Sequence, residues 1–343
     1  MYEIFFGLSA PPFQINPDPG FHFWTRSHMA ADSFLAEKAA RRQGVIVLSG
    51  EIGAGKTTLV AARLATLDPA VVAVGQIVST QLDVKALLHA VVLAFGLPLR
   101  SGARAQILAA IEVFLLDLLP SGRHALLVID EAQNLSPEAL NAVFLLATYP
   151  PGHRPVLQFL LLGQPELRER IAENRAGAAP GAELAFFHLG PMEDYETRAY
   201  IEHRLSVVGW RHDPVFTPGG YARIFEATRG IPRRVNGLCN RLLLCAYLEG
   251  RHEIGVREVD ASVAELRDEL GEDALPPEVQ DGPATPAQPR NRPLADPAQA
   301  QMITALTARL DRIERQAGVM LRLARAVPAA PAPPRPVRPR TPA

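Results

Sequence analysis

Through about residue 270 the chain alternates short apolar runs with amphipathic stretches. Predominantly apolar runs at 45–49, 71–78, 125–130, 156–162 and 184–189 read as strands of a covered parallel sheet. The amphipathic segments between them supply helices to cover such a sheet. From Asp194 onward the strand-like runs cease. Asp194 reads as the cap of a helix reaching Val208, and Thr217-Pro218 as an N-cap with proline at the first helical position. Further helices are expected over 232–248, ending near Gly250, and over 259–270. The pattern predicts an α/β domain over 1–192 followed by a small all-α domain over 193–271.

Beyond that point the pattern dissolves. Residues 272–297 are rich in Pro, Ala and acids and read as a linker, because they cannot bury enough apolar surface to offset the entropy of ordering. Within 298–327, Ile303, Leu306, Leu310, Ile313, Ala317 and Met320 alternate three and four apart, a helical stripe that wants a partner. Residues 328–343 form a Pro/Arg-rich tail, read as disordered.

The 343 residues are long enough for about two domains. A 48% apolar fraction, 21% charged residues and a mean hydropathy of +0.05 exclude global disorder. With 35 Lys and Arg against 36 Asp and Glu, net charge gives no footprint for nucleic acid or an anionic membrane. Cys239 and Cys245 lie six apart in one expected helix, so they cannot bridge each other and read as buried thiols of a reducing compartment. No apolar run approaches the roughly 18 residues of a membrane span, and Met1-Tyr2-Glu3 lacks a basic leader. A cytoplasmic location is expected, peripheral to a membrane only through a partner.

The strongest chemical signal is Gly50-Glu51-Ile52-Gly53-Ala54-Gly55-Lys56-Thr57, a complete G-x-x-x-x-G-K-[ST]. It follows an apolar run and opens an amphipathic one at Thr58, the strand-loop-helix context that such a phosphate loop needs. Its glycines let successive N–H groups converge on phosphate oxygens without a Cβ in the way. Lys56 would reach the β and γ phosphates, and the Thr57 hydroxyl would ligate Mg²⁺. The second signal, Ala125 to Glu131, is an apolar run ending in two acids. Beside the first it makes Asp130 the expected Mg²⁺-side carboxylate and Glu131 the group that polarises the attacking water. No H-E-x-x-H or G-x-S-x-G pattern occurs. His188 and His203 read as core or surface residues. The dense aromatics Phe5, Phe6, Phe13, Phe21, Phe23 and Trp24 are expected to pack in a core, with adenine contact as the lesser alternative.

With these residues in view the chain resembles the AAA+ ATPases of the ExeA/GspA type, and within them the ATPases associated with exosortase and exopolysaccharide clusters. The resemblance covers about residues 1–270. It rests on Met1 to Leu8 with Pro12-Phe13 and Pro17-Asp18-Pro19, on Gly50 to Leu59, and on Ile129 to Ser136. It continues through Gly163 to Leu167, Tyr200 to Leu205, and Gly230 to Asn236. It implies a P-loop NTPase fold, a parallel five-stranded sheet with helices on both faces and a helical lid. In that fold the strand ending near Leu162 lies between the two nucleotide-site strands. It also implies Gln164 in the sensor 1 position and Arg233 as the lid residue reaching the phosphates, with ATP and Mg²⁺ as ligands.

Family members usually carry an Arg-Gln-Arg-Ile-like stretch where 173–183 of this chain has none, so the trans-acting arginine is missing from its expected place. Arg168, Arg170 and Arg175 are the available substitutes, and slow partner-free hydrolysis is expected. Secretion-type members continue into a membrane span and a cell-wall-binding region. The Pro-rich segments here fit better a cytosolic ATPase linked to an envelope, secretion or polysaccharide system, acting on a protein partner and open to homo-oligomer formation. Two alternatives remain. One is a DNA-associated regulatory ATPase resembling transposition helpers, with Arg233, Arg234, Arg241 and the C-terminal arginines as its basic material. The other is a slow nucleotide-gated scaffold.

Overall fold

A computed structural model describes residues 2–14, 21, 23–78, 81–98, 104–149, 155–174 and 183–270. The linker, stripe and tail expected over 272–343, and Arg175, lie outside the described residues.

Five strands form one parallel sheet: β1 (Val45–Gly50), β2 (Val72–Val78), β3 (His124–Asp130), β4 (Leu157–Gly163) and β5 (Leu184–Leu189). Their order is β2-β3-β4-β1-β5, which sets β4 between β3 and β1 as expected. The three inner strands are buried along almost their whole length, whereas the edge strands β2 and β5 alternate buried and accessible positions. That difference explains the predominantly apolar runs of the inner strands. Gln158 is the polar exception inside β4, and its amide donates to the Gln43 carbonyl at 3.1 Å.

Among the described residues, α1 (Tyr2–Phe5) opens the chain, followed by α2 (Arg26–Ala40), α3 (Lys56–Leu64), α4 (Val84–Ala94), α5 (Arg104–Leu118), α6 (Pro137–Ala147) and α7 (Glu166–Asn174). On one face of the sheet Ala31, Leu35, Leu59 and Val60 of α2 and α3 pack against Ile46, Leu48, Val128 and Leu160. On the other, α4, α5 and α6 cover β2, β3 and β4. Asp83 and Ser136 cap α4 and α6 through their side chains, and Pro137 takes the first position of α6.

The helical region holds α8 (Asp194–Val207), α9 (Pro218–Thr228), α10 (Pro232–Leu248) and α11 (Val256–Leu270). Three expectations are corrected here. Asp194 is the first helical residue and Glu193 the cap, because the Glu196 carboxylate reaches back to the Glu193 N–H at 3.0 Å. The last helix starts three residues before Val259, where the Glu258 carboxylate accepts from Gly255 at 3.0 Å. The region also contains a two-residue parallel pairing, β6 (Val215–Phe216) with β7 (Glu253–Ile254), too short to read from periodicity.

The opening of the chain, included in 1–192 when read from sequence, places Tyr2, Phe6, Leu8 and Phe13 in one apolar cluster with Tyr200, Leu205, Leu238 and Leu242 of the helical region. The Tyr2 hydroxyl donates to Asn240 at 2.8 Å, and burial raises its pKa to about 12. Cys239 is fully buried in that cluster, which pushes its thiol pKa up. No helix of the described residues is long and apolar enough to cross a membrane.

Candidate nucleotide site

The carboxyl ends of β1, β3 and β4 lie side by side, where open parallel sheets bind their ligands. After β1 the chain bends through Gly53 at φ 82° and Gly55 at φ 96° before α3 begins at Lys56. Both values are left-handed, which explains glycine there. Two neighbours crowd this bend. A Cβ on Gly53 would stand 2.2 Å from the Cβ of Arg233, and one on Gly55 would stand 2.8 Å from His28 Nε2. The Arg233 N–H also donates to the Gly53 carbonyl at 3.2 Å. The first turn of α10 therefore rests directly on the loop, which joins the helical region to the sheet domain.

Lys56 is buried, and its Nζ donates to the Gly50 and Glu51 carbonyls at 2.6 and 2.9 Å. Burial lowers its pKa, and the carboxylates of Glu131, Asp130, Glu51 and Glu166 oppose that shift. The Thr57 hydroxyl donates to Asp130 Oδ2 at 2.7 Å, while Asp130 Oδ1 accepts from the Glu131 N–H at 2.9 Å. Glu131 adopts φ 52°, a left-handed conformation uncommon for a residue with a side chain. Its Oε2 accepts from Gln133 Nε2 at 2.5 Å. The other end of that amide, Gln133 Oε1, accepts from the Gln164 N–H at 3.2 Å. Gln133 thus ties Glu131 to the end of β4.

A cavity of about 380 Å³ opens between this loop and the helical region. Gly53, Gly55, Lys56, Thr57, Thr58 and Glu131 line its polar side, together with Ile52 and His28. Phe21, Phe23, Trp24, Tyr200, Arg204 and Asn236 also line it, and Pro232 and Arg233 border it. Of the residues read from sequence, Lys56, Thr57, Asp130 and Glu131 are brought into one cluster, and Arg233 meets the loop. Gln164 stands half-buried at the end of β4, with only its backbone N–H engaged with Gln133. Arg168 is exposed with its guanidinium 5.6 Å from the Phe186 ring, and Arg170 donates to the Leu135 carbonyl at 2.8 Å.

Core packing holds for Phe6 and Phe13, Phe21 and Phe23 pack against that core while also lining the cavity, Trp24 lines the cavity, and Phe5 is exposed. Sequence reasoning gave no role to Gln133, His28, Tyr200, Arg204 or Asn236. Gln133 lay within the motif after the two acids. His28 carried no signal, because its place depends on the path of α2 over Gly55.

Thr57 and Asp130 present two hard oxygens to one point, beside a loop built for phosphate. A Mg²⁺ ion takes few protein oxygens and completes its shell with water and substrate phosphates, so this donor pair fits it.

A family model described as an AAA domain matches residues 39–171. General secretion pathway protein A of Aeromonas hydrophila is 33% identical over 273 residues, which are 78% of this chain and 50% of that protein. The chain therefore spans half the length of that relative. The ORC2 protein of Aeropyrum pernix in its ADP form superposes with a TM-score of 0.53 at 20% identity, covering 76% of this chain and 73% of that one. The Drosophila ORC bound to DNA gives a TM-score of 0.56 at 18% identity, covering 74% and 64% respectively. At those identities the likeness is one of fold.

Proposed function

We propose that the chain is an AAA+ ATPase of the general secretion pathway protein A (ExeA) type and that it hydrolyses ATP to ADP and phosphate in a Mg²⁺-dependent reaction. The observation that carries this reading is the cluster of Lys56, Thr57, Asp130 and Glu131 beyond the carboxyl ends of β1 and β3, the strands on either side of β4, beside a cavity with room for a nucleoside. The N–H groups of residues 50–58 and the first turn of α3 cradle the phosphate tail. The Lys56 ammonium exchanges its two carbonyl partners for β and γ oxygens, which offsets the cost of its burial. Thr57 and Asp130 would hold the metal, which would supply charge neutralisation to the phosphate tail. Glu131, aimed by Gln133, takes the proton of the attacking water. Gln164 and Arg233 approach the γ-phosphate from β4 and from α10.

Because Arg233 touches Gly53, a change at the γ-phosphate is transmitted to α10, and we take this movement of the helical region as the output to a protein partner. The relative's name points to a secretion system, and the resemblance noted above extends this to exosortase and exopolysaccharide systems. The test is steady-state phosphate release from ATP by the full chain. Release should be slow, should need Mg²⁺, and should fall about 10²- to 10⁴-fold in Glu131→Gln. Equal release by Glu131→Gln and the native chain would refute the role of that carboxylate.

A further inference from the structure

Two sequence blocks singled out above play no part in the phosphate cradle: the opening with Pro12-Phe13, and Tyr200 to Leu205. The structure joins them at Arg204. This side chain is only 6% exposed, yet its partners among the described residues are uncharged. Its Nε donates to the Pro12 carbonyl at 2.6 Å, its Nη2 to the Gln14 carbonyl at 3.3 Å, and its Nη1 to the Tyr200 hydroxyl at 2.8 Å. The Tyr200 hydroxyl in turn donates to Asn236 Oδ1 at 2.8 Å. The guanidinium also lies 4.8 Å from the Phe21 ring centre and 5.6 Å from that of Tyr200.

A buried cation is tolerated only when its donors are satisfied, and the guanidinium fork spreads its donors over three nitrogens, which here serve two carbonyls and a hydroxyl at once. Its position gives the arrangement meaning. Arg204 sits on α8, while Pro12 and Gln14 belong to the N-terminal segment that precedes Phe21, Phe23 and Trp24. That segment then enters α2, where the Thr25 hydroxyl and His28 Nδ1 lie 2.6 Å apart and His28 borders Gly55. Pro12, Gln14 and Phe21 are thus held against the helical region by one side chain, and His28 meets the phosphate loop. Phe21, Phe23 and Trp24 line the same cavity as that loop.

We infer that Arg204 is a positioning residue that holds Pro12, Gln14 and Phe21, so that the aromatic wall of Phe21, Phe23 and Trp24 stands where the nucleoside of a bound nucleotide lies. The inference rests on the nucleotide reading above and deepens it. It makes the affinity for a nucleoside triphosphate depend on Arg204, whereas the affinity for the bare triphosphate chain does not.

The experiment is calorimetric titration of the full chain with ATP and, separately, with inorganic tripolyphosphate, both in Mg²⁺. The native chain should bind both. Arg204→Gln should weaken ATP by about ten- to a hundredfold, as expected for lost hydrogen bonds from a charged donor, and leave tripolyphosphate within about twofold. Arg204→Lys should fall between, since an ammonium gathers its donors on one nitrogen and cannot copy the spread of Nε, Nη1 and Nη2. Should Arg204→Gln fail to fold, Trp24→Ala tests the same wall without disturbing the buried cation, and should likewise weaken ATP alone. Equal loss for both ligands, or no loss for either, would overturn the inference. Failure of the native chain to bind either ligand would instead overturn the nucleotide reading and take this inference with it, whereas tripolyphosphate binding without ATP binding would refute the nucleoside wall alone.

Discussion

Gly53 occupies a position that the phosphate-loop motif leaves open to any residue, so from the motif alone Gly53→Ala should be harmless. The structure requires the opposite. At φ 82° a side chain costs about 1–2 kcal/mol of backbone strain. The new methyl would stand 2.2 Å from the Arg233 Cβ, whereas carbon atoms pack at about 3.5–4.0 Å, so loop and helix must part by more than an ångström. Such a movement breaks the 3.2 Å bond from the Arg233 N–H to the Gly53 carbonyl, a further loss of about 0.5–1.5 kcal/mol. Gly122 is the control: its φ is 68°, and a Cβ there meets nothing within 4 Å, so Gly122→Ala carries the strain without the collision. Thermal denaturation and ATP titration of both variants separate the two effects. Gly53→Ala should melt below Gly122→Ala and bind ATP about tenfold more weakly, the equivalent of about 1.4 kcal/mol. Equal melting and equal ATP affinity in the two variants would refute the claim that the helical region reads the nucleotide through this contact.

Gln133→Leu should leave ATP affinity nearly unchanged but lower turnover by at least about tenfold, because Glu131 loses its 2.5 Å partner while the phosphate loop is untouched; paired titration and phosphate-release assays check this. Thr57→Ala should shift the Mg²⁺ concentration for half-maximal turnover upward by about tenfold or more, read from a metal titration at saturating ATP. The alkaline limb of stability should reflect the buried tyrosines. Raising a phenol's pKa on folding means that the unfolded chain releases its proton first, so stability falls as pH rises from about 10, for Tyr2 up to about 12. Tyr200 and Tyr221 are shifted in the same direction by burial. Melting temperatures measured over that range should decline less steeply in Tyr2→Phe than in the native chain.

The sheet was legible because β1, β3 and β4 are buried on both faces and therefore write predominantly apolar runs, Gln158 of β4 excepted. Lys56, Thr57, Asp130 and Glu131 were legible for a different reason: phosphate chemistry fixes their spacing from a strand end. What lay beyond reach were contacts made across long separations. Nothing local to Arg204 indicates that it grips Pro12, and nothing local to Gly53 indicates that Arg233 covers it. The cap at Glu193 was misplaced by one residue because Glu and Asp stand side by side there, and the reciprocal partner, Glu196, decides between them. The pairing of Val215–Phe216 with Glu253–Ile254 is two residues long, shorter than any periodicity can register.

The central claim is that residues 50–58 hold a triphosphate with their main-chain N–H groups while Lys56 neutralises it. Calorimetric titration of ATP into the native chain and into Lys56→Ala tests it most directly. The account predicts saturable binding to the native chain and a loss of about ten- to a hundredfold in the variant. Absence of binding to the native chain, or identical affinity in the two proteins, would contradict it.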